Sequence, residues 1–554
     1  MYEKLTDLIG EGDYREALYE LQDEYLHIDE KNNIDAAKLC VLEASIWEAL
    51  GDDTAEFDAL ARGIAYDGSN YELFYMLGLY YKDINVNKAY LCMERALFYC
   101  DNTEDRRVIE DSFDEIINSP GFRVRNTSIM ILSYNDLELL KKCIESIEKY
   151  VPKSSCEIVV VDNASTEEGV VEYLRDKKDN SDFDIKVIAC DENLGFPKGC
   201  NLGTKYCNKE NDIFYLNNDA CLTRNALFFL RMGLYDNRDV GAVGPLSNSA
   251  SLQELPSSEF YKYAGKEVKD MWHRELGFEK SYEIFKAYAH DHSYPMRNAY
   301  IKRFRLTGFA LLVSCQAINE VAKDLKVFDE VFSPGYFEDD DLGIRLARAG
   351  FAQLVCKNAF VYHNGGSGFE GQEDALERGR EKFKEKWGFD IWGYSLPWFE
   401  VADEVIAMVK EKKGSLRVVD FTCGFGSTAS YIKSSCPETF IAGVCRNSFE
   451  AGISKRLADD VAWGDTNAMK LPWSDRSFDV VIAPKGEVSM GQVMRYLKPD
   501  GVWLGAGDDS QSEGERDIIN VNASGFDSEL RETDEVVMNL LNSSSDEQNE
   551  SGET

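Results

Sequence analysis

At 554 residues the chain is too long for one ordinary hydrophobic core, so three or four domains are expected. Hydrophobic residues at 44% and charged residues at 29% describe a folded soluble protein. A formal net charge of −38 without clustered Lys and Arg excludes an electrostatic grip on nucleic acid or anionic lipid. Fourteen cysteines run from Cys40 to Cys445 with no CxxC pair, which fits neither a zinc ribbon nor a small disulfide scaffold and predicts reduced thiols in a cytoplasmic protein.

The segment Met1 to Ala17 is amphipathic and acidic, and no run approaches ~18 apolar residues, so neither a secretory signal nor a membrane span is expected. Residues 1–120 are helical in period. Gly10, Ala44 and Gly78 are small residues spaced by 34, each in a helix followed by a polar turn and a second helix, as with Ala89, Met93 and Ala96 in the last copy. This pattern resembles tetratricopeptide repeats, with Phe74, Leu77, Gly78, Tyr81 and Ala89 matching best. A plain helical bundle is the alternative. Three helical pairs would form a small solenoid whose concave face takes a protein partner.

From Arg125 the period changes. Ser128 to Leu132, Glu157 to Val161, Ile185 to Ala189 and Ile213 to Tyr215 with Leu216 are β-branched and aliphatic runs of strand length. With the amphipathic stretch Leu137 to Tyr150 between the first two, they predict a βαβ unit and a parallel sheet. Residues 247–305 are aromatic, charged and irregular, in the manner of a long acceptor-side insertion, and a helix near Glu377 to Trp387 closes a domain over 125–395. Asn217, Asn218 and Asp219 follow a strand directly, which sets them at the edge where open α/β sheets bind ligands. The run Glu338, Asp339, Asp340, Asp341 between apolar segments is poorly suited to a core and calls for a general base or a metal; His363 lies 24 residues after Asp339.

This central stretch resembles the inverting glycosyltransferases of family 2, which have the GT-A fold. Ser133, Tyr134 and Asn135 stand where the family packs an aromatic residue on the nucleotide base, and Asp162, followed by Asn163, stands where its Asp receives a pyrimidine N–H. Asn193, Gly195, Lys198 and Asn201 fall in the family's loop near the sugar diphosphate, and Asn217, Asn218, Asp219 occupies the DXD position with Asn in place of the first acid. The resemblance implies a nucleotide-diphosphate sugar as donor and an acceptor protein or glycan. It also implies a divalent cation, Mn²⁺ or Mg²⁺, held by Asp219 and His363, and a catalytic pair Glu338, Asp339 in which Asp339 is the base. For Asp340 and Asp341 the expectation is bracing of the following helix.

Residues 400–508 form a second α/β series. Its Val418 to Asp420 strand, its Gly424 and Gly426 loop, Asp465, and Phe478 to Val481 resemble a class I S-adenosylmethionine (SAM) methyltransferase core; this implies SAM contacts at Asp420, Gly424, Gly426 and Asp465. Thr422 replaces a loop glycine, Cys445 replaces the ribose-binding acid, and the last strands are expected to be absent, so a truncated domain with a binding or structural role is favoured over methyl transfer. Residues 509–554 form an acidic tail expected to be disordered. The expected fold is thus multidomain: helical repeats, an α/β GT-A domain, then a truncated Rossmann-like domain. Glycosyl transfer is the leading function, with methyl transfer and a non-catalytic repeat scaffold as alternatives.

Overall fold

The computed structural model describes residues 2–28, 32–265, 273–365, 373–412, 414–484 and 486–505, so the acidic tail expected over 509–554 lies outside the described residues. Before residue 120 the described chain forms seven helices: Glu3–Glu11, Tyr14–His27, Asn33–Leu50, Asp53–Tyr66, Tyr71–Tyr81, Val86–Tyr99 and Thr103–Ile117. Six of them start at an Asp or Asn whose side chain accepts a backbone N–H of the first turn: Asp13, Asn32, Asp52, Asn70, Asn85 and Asn102. Ala44 and Gly78 lie at buried helix contacts, where a Cβ on Gly78 would come within 2.7 Å of Met93. Gly10 differs, because its surroundings are open.

The helical region is docked on the central domain. Helix Ala226–Leu234 is buried along its whole length, with Phe228 edge-on to Phe74 at 5.4 Å. Arg231 forms an ion pair with Glu94, both buried, and Tyr99 donates to Asn225 at 2.8 Å. The second helix of the third pair, Val86–Tyr99, is therefore covered by the next domain.

The central sheet contains β1 (Thr127–Ser133), β2 (Cys156–Asp162), β3 (Ile185–Ala189), β4 (Asp212–Asn217), β5 (Ala220–Leu222), β6 (Val240–Leu246), β7 (Tyr300–Arg303), β8 (Ala310–Val313) and β9 (Ala352–His363). Their order is β3-β2-β1-β4-β8-β6-β9-β5, with β7 also on β9. β1 to β4 run parallel, β8 is antiparallel to both its neighbours, and β5 is antiparallel to the end of β9. Parallel register aligns Ser133 with Asp162 and Leu132 with Asn217, so three strands deliver their candidate residues to one edge. The described parts of the expected irregular insertion, 247–265 and 273–305, hold two helices and a strand. Helices Ser257–Ala264 and Phe278–His292 pack Phe260, Phe285 and Tyr288 against Phe360 and Tyr362 of β9. The aromatic residues that break any simple period are the ones buried there.

The C-terminal sheet holds β10 (Arg417–Asp420), β11 (Phe440–Cys445), β12 (Asp460–Trp463), β13 (Phe478–Ile482) and β14 (Leu497–Leu504) in the order β12-β11-β10-β13-β14, all parallel. Among the described residues no helix is long and apolar enough to cross a membrane.

Candidate active site

Asp219 lies in the turn between β4 and β5 and is buried, while His363 ends β9, and pairing of Ala220 with His363 across β5 and β9 brings the two together. The imidazole Nδ1 lies 2.6 Å from the carbonyl oxygen of Ser249, which can only accept, so in the neutral ring Nδ1 carries the proton. The Nε2 lone pair then faces Asp219 Oδ1 at 3.4 Å and Asn217 Nδ2 at 3.4 Å. An imidazole lone pair opposite a carboxylate oxygen is an arrangement that fits a cation, and the carbonyl behind the ring is the usual outer partner of a metal-bound histidine. Asn248 holds the His363 backbone at both ends, through bonds of 2.8 Å each, and the Phe309 ring stacks on the imidazole at 4.7 Å. Among the described residues no group of three or more His, Cys, Asp or Glu converges that could hold a metal ion.

The acidic run opens helix Glu338–Ala349 and its four members divide by contact. Asp341 is fully buried and accepts from Arg345 at 2.8 Å and Trp387 at 2.9 Å, and Asp340 pairs with Arg305, so both brace the helix as expected. Asp339 is half-buried and receives the Gly308 N–H at 2.9 Å on Oδ2. Burial, then the neighbouring Asp340 charge, pushes its carboxyl up to about 6. Burial and Asp339 together hold the Glu338 carboxyl well above the usual range, and its Oε2 has no hydrogen-bond partner. The preceding Tyr336 and Phe337 have φ of 74° and 70°, a left-handed backbone that costs non-glycine residues on the order of 1–3 kcal/mol each.

One short segment joins the two acidic sites. Gly308 donates to Asp339, Phe309 stacks on His363, and the Phe309 carbonyl accepts the Asn217 N–H at 2.8 Å. Thr307 is anchored in turn by Gln253 Oε1 at 2.7 Å. None of Gly308, Phe309, Asn248 and Ser249 stood out in the sequence. The polar run Ser247 to Ser249 directly after β6 was the available signal, since a strand end of an α/β sheet is where such residues act.

The remaining candidates fall into two groups. Tyr134, 39% exposed, Asn193 and Lys198 are open to solvent at the strand edge. Several others are committed to holding loops. Asn135 accepts from Thr166 and Glu167 N–H at 2.8 and 3.0 Å, and its carbonyl accepts from Asn218 at 3.4 Å. Asn163 bonds Asn193 at 2.9 Å and the Leu194 N–H at 2.8 Å, and the Ser133 carbonyl accepts the Asn163 N–H at 2.8 Å. Asp162 Oδ1 caps the next turn through the Ser165 N–H at 3.1 Å. Gly195 passes so close to Pro334 that a Cβ would lie 2.8 Å from its backbone, which ties this loop to the segment before Glu338. Asn201 corrects the expectation of a diphosphate contact: it is buried, and both ends of its amide bond the Phe328 backbone, at 2.7 and 3.0 Å.

In the C-terminal domain Asp420 is buried and caps Thr422 through Oδ1 at 2.8 Å, and burial pushes its carboxyl up to about 6. Gly424 and Gly426 take φ of 52° and 91° in the loop after β10, and the exposed Asp465 accepts the Asn467 N–H at 3.0 Å. Cys445 is buried at the end of β11 with its Sγ 3.4 Å from the Gly424 carbonyl.

Residues 128–301 match the family model of glycosyl transferase family 2, so this stretch of the central domain is similar to that family. The matched span includes β1 to β4 and Asp219 and ends before Glu338 and His363. Among solved structures, GalNAc-T7 with UDP, GalNAc and Mn²⁺ is similar at 14% identity and a TM-score of 0.33, over 43% of this chain and 43% of that one. The mannosyltransferase PcManGT from Pyrobaculum calidifontis, in complex with GDP-Man and Mn²⁺, is similar at 14% identity and a TM-score of 0.32, over 52% and 72%. TarS of S. aureus is similar at 16% identity and a TM-score of 0.30, over 47% and 40%, so the chain spans less than half of GalNAc-T7 and of TarS. No curated protein matches the sequence.

Proposed function

We propose that the protein is an inverting, metal-dependent glycosyltransferase that moves a sugar from a nucleotide-diphosphate donor to an acceptor protein or glycan. The observation that carries this reading is the Gly308–Phe309 junction, which holds the Asp339 carboxylate by one residue and the His363 ring by the next. Asp339 accepts the acceptor hydroxyl's proton as that oxygen bonds the anomeric carbon, and the bond to the diphosphate breaks on the opposite face, inverting the centre. Asp219 and His363 hold a divalent cation, Mn²⁺ or Mg²⁺, and such an ion supplies charge neutralisation for the departing diphosphate. Asn217, whose Nδ2 lies 3.4 Å from the imidazole Nε2, brings a neutral hydrogen-bonding amide to this position in place of a charge. The exposed Tyr134 offers a ring for base stacking, Asp162 a carboxylate for a pyrimidine N–H, and Asn193 and Lys198 reach the diphosphate.

The domain reading is 1–120 tetratricopeptide-like, 125–395 GT-A and 400–508 methyltransferase-like, in a cytoplasmic protein whose earlier helices take a protein partner. The five parallel strands with a glycine loop after β10 support the methyltransferase-like reading, and Cys445 at the ribose-acid position speaks against SAM binding there. The direct test is release of UDP, GDP, dTDP or CDP from a panel of their sugars, with Mn²⁺ and with EDTA. Metal-dependent release from one nucleotide class supports the proposal. No release from any, with or without added lysate acceptors, speaks against it.

A further inference from the structure

The left-handed turn Tyr336–Phe337, which presents Glu338 and Asp339, persists only where its surroundings hold it. Those surroundings come from two domains. Phe337 packs on Phe383 at 5.8 Å and Trp392 at 5.7 Å, within a cluster that also takes in Phe304, Phe389 and Tyr394. The C-terminal domain completes it. Phe425, 1% exposed, stacks on Tyr394 at 4.0 Å and meets Phe304 and Phe389 edge-on, each at 5.2 Å. Phe449 lies 5.5 Å from Phe389 and under the Arg348 guanidinium at 5.4 Å, and Ile453 and Leu457 join Ile344 and Ala347 in the same core. Arg348, Ile344 and Ala347 all belong to helix Glu338–Ala349.

Phe425 stands between Gly424 and Gly426, in the loop where an open parallel sheet takes nucleotide-type ligands. In this chain the loop faces protein instead. A Cβ on Gly424 would lie 3.2 Å from the Tyr394 ring, the Ser427 hydroxyl donates to the Tyr394 carbonyl at 2.6 Å, and Trp398 N–H donates to Thr428 at 3.0 Å. The segment that links the two domains is thus laid over the glycine loop.

We infer that the C-terminal domain is a brace for the catalytic turn, with Phe425 and Phe449 as positioning residues that hold Phe337 and helix Glu338–Ala349 and thereby aim Asp339. This rests on the reading of Asp339 as the base. The test uses the full chain carrying Phe425→Ala or the milder Phe449→Leu, compared by hydrogen exchange and by hydrolysis of whichever sugar in the UDP, GDP, dTDP and CDP panel the wild type cleaves with Mn²⁺. Exchange over 333–343 should accelerate about tenfold while β10 to β13 and 212–219 stay within about twofold, and kcat should fall about tenfold at unchanged donor KM, as loss of aim predicts. Unchanged exchange over 333–343 in both variants overturns the brace, as does acceleration that is equal over β10 to β13 in both. Asp339→Asn run alongside separates the two claims. Full turnover in that variant removes the base, whereas an inactive Asp339→Asn with unaltered Phe425→Ala and Phe449→Leu removes the brace alone.

Discussion

Lowering the pH from 8 to 5 should cut turnover about tenfold through one carboxyl group. Burial and the Asp340 charge hold the Asp339 carboxyl up to about 6. Against an ordinary aspartate near 4, that difference means ionisation costs about 3 kcal/mol more in the site than in water, at about 1.4 kcal/mol per pH unit. The base is active only when deprotonated, so the active fraction is about 0.99 at pH 8 and about 0.1 at pH 5. An unperturbed aspartate would still be about nine-tenths ionised at pH 5. The assay is kcat against pH at saturating Mn²⁺ and saturating donor. Protonation of His363 would instead weaken the apparent metal affinity, and saturating metal removes that contribution. A kcat that rises about tenfold between pH 5 and 7 and then levels fits the site; a kcat flat down to pH 5 refutes the reasoning from burial.

Three further outcomes follow from other parts of the chain. Asp219→Ala and His363→Ala should each weaken Mn²⁺-assisted binding of the nucleoside diphosphate by about 10-fold or more in calorimetry, and EDTA should abolish transfer; full activity in EDTA would remove the metal from the account. The full chain should show no SAM binding by calorimetry at concentrations that saturate an intact methyltransferase, because Cys445 cannot accept the two ribose hydroxyls, and micromolar binding would show a second working site. Glu94→Ala should destabilise the protein by about 3–5 kcal/mol in urea unfolding by leaving Arg231 buried and uncompensated, while Glu94→Leu with Arg231→Met should recover most of the loss; an unaffected single variant would contradict the docked helical region.

What was legible in the sequence was local. β1, β2 and β4 are nearly continuous apolar runs because both faces of a parallel sheet are covered, β3 is a half-buried edge strand, and the observed strands reach within a residue or two of the expected ones. Asp339 stood apart from Asp340 and Asp341 through its place in the family motif, while bracing of the helix N-terminus was the expectation for the other two. The long-range parts could not be read. β8 is four residues long and inserts between β4 and β6, and no periodicity announces that it carries Gly308 and Phe309 to both acidic sites. Asn201 looked like a ligand contact because it lies in a motif with Asn193, yet its amide serves a backbone 127 residues away. The aromatic cluster at Phe425 was hidden for the same reason, since its ring partners Phe304, Phe389, Tyr394 and Phe449 come from three separate stretches of chain.

The central claim is that Asp339 removes the acceptor proton, and Asp339→Asn tests it most directly because amide and carboxylate are nearly isosteric and the Gly308 N–H can still bond the carbonyl oxygen. Turnover of the nucleotide sugar with Mn²⁺ should fall about 10² to 10⁴-fold while donor affinity by calorimetry stays within about twofold. An Asp339→Asn enzyme that turns over at the wild-type rate would contradict the account.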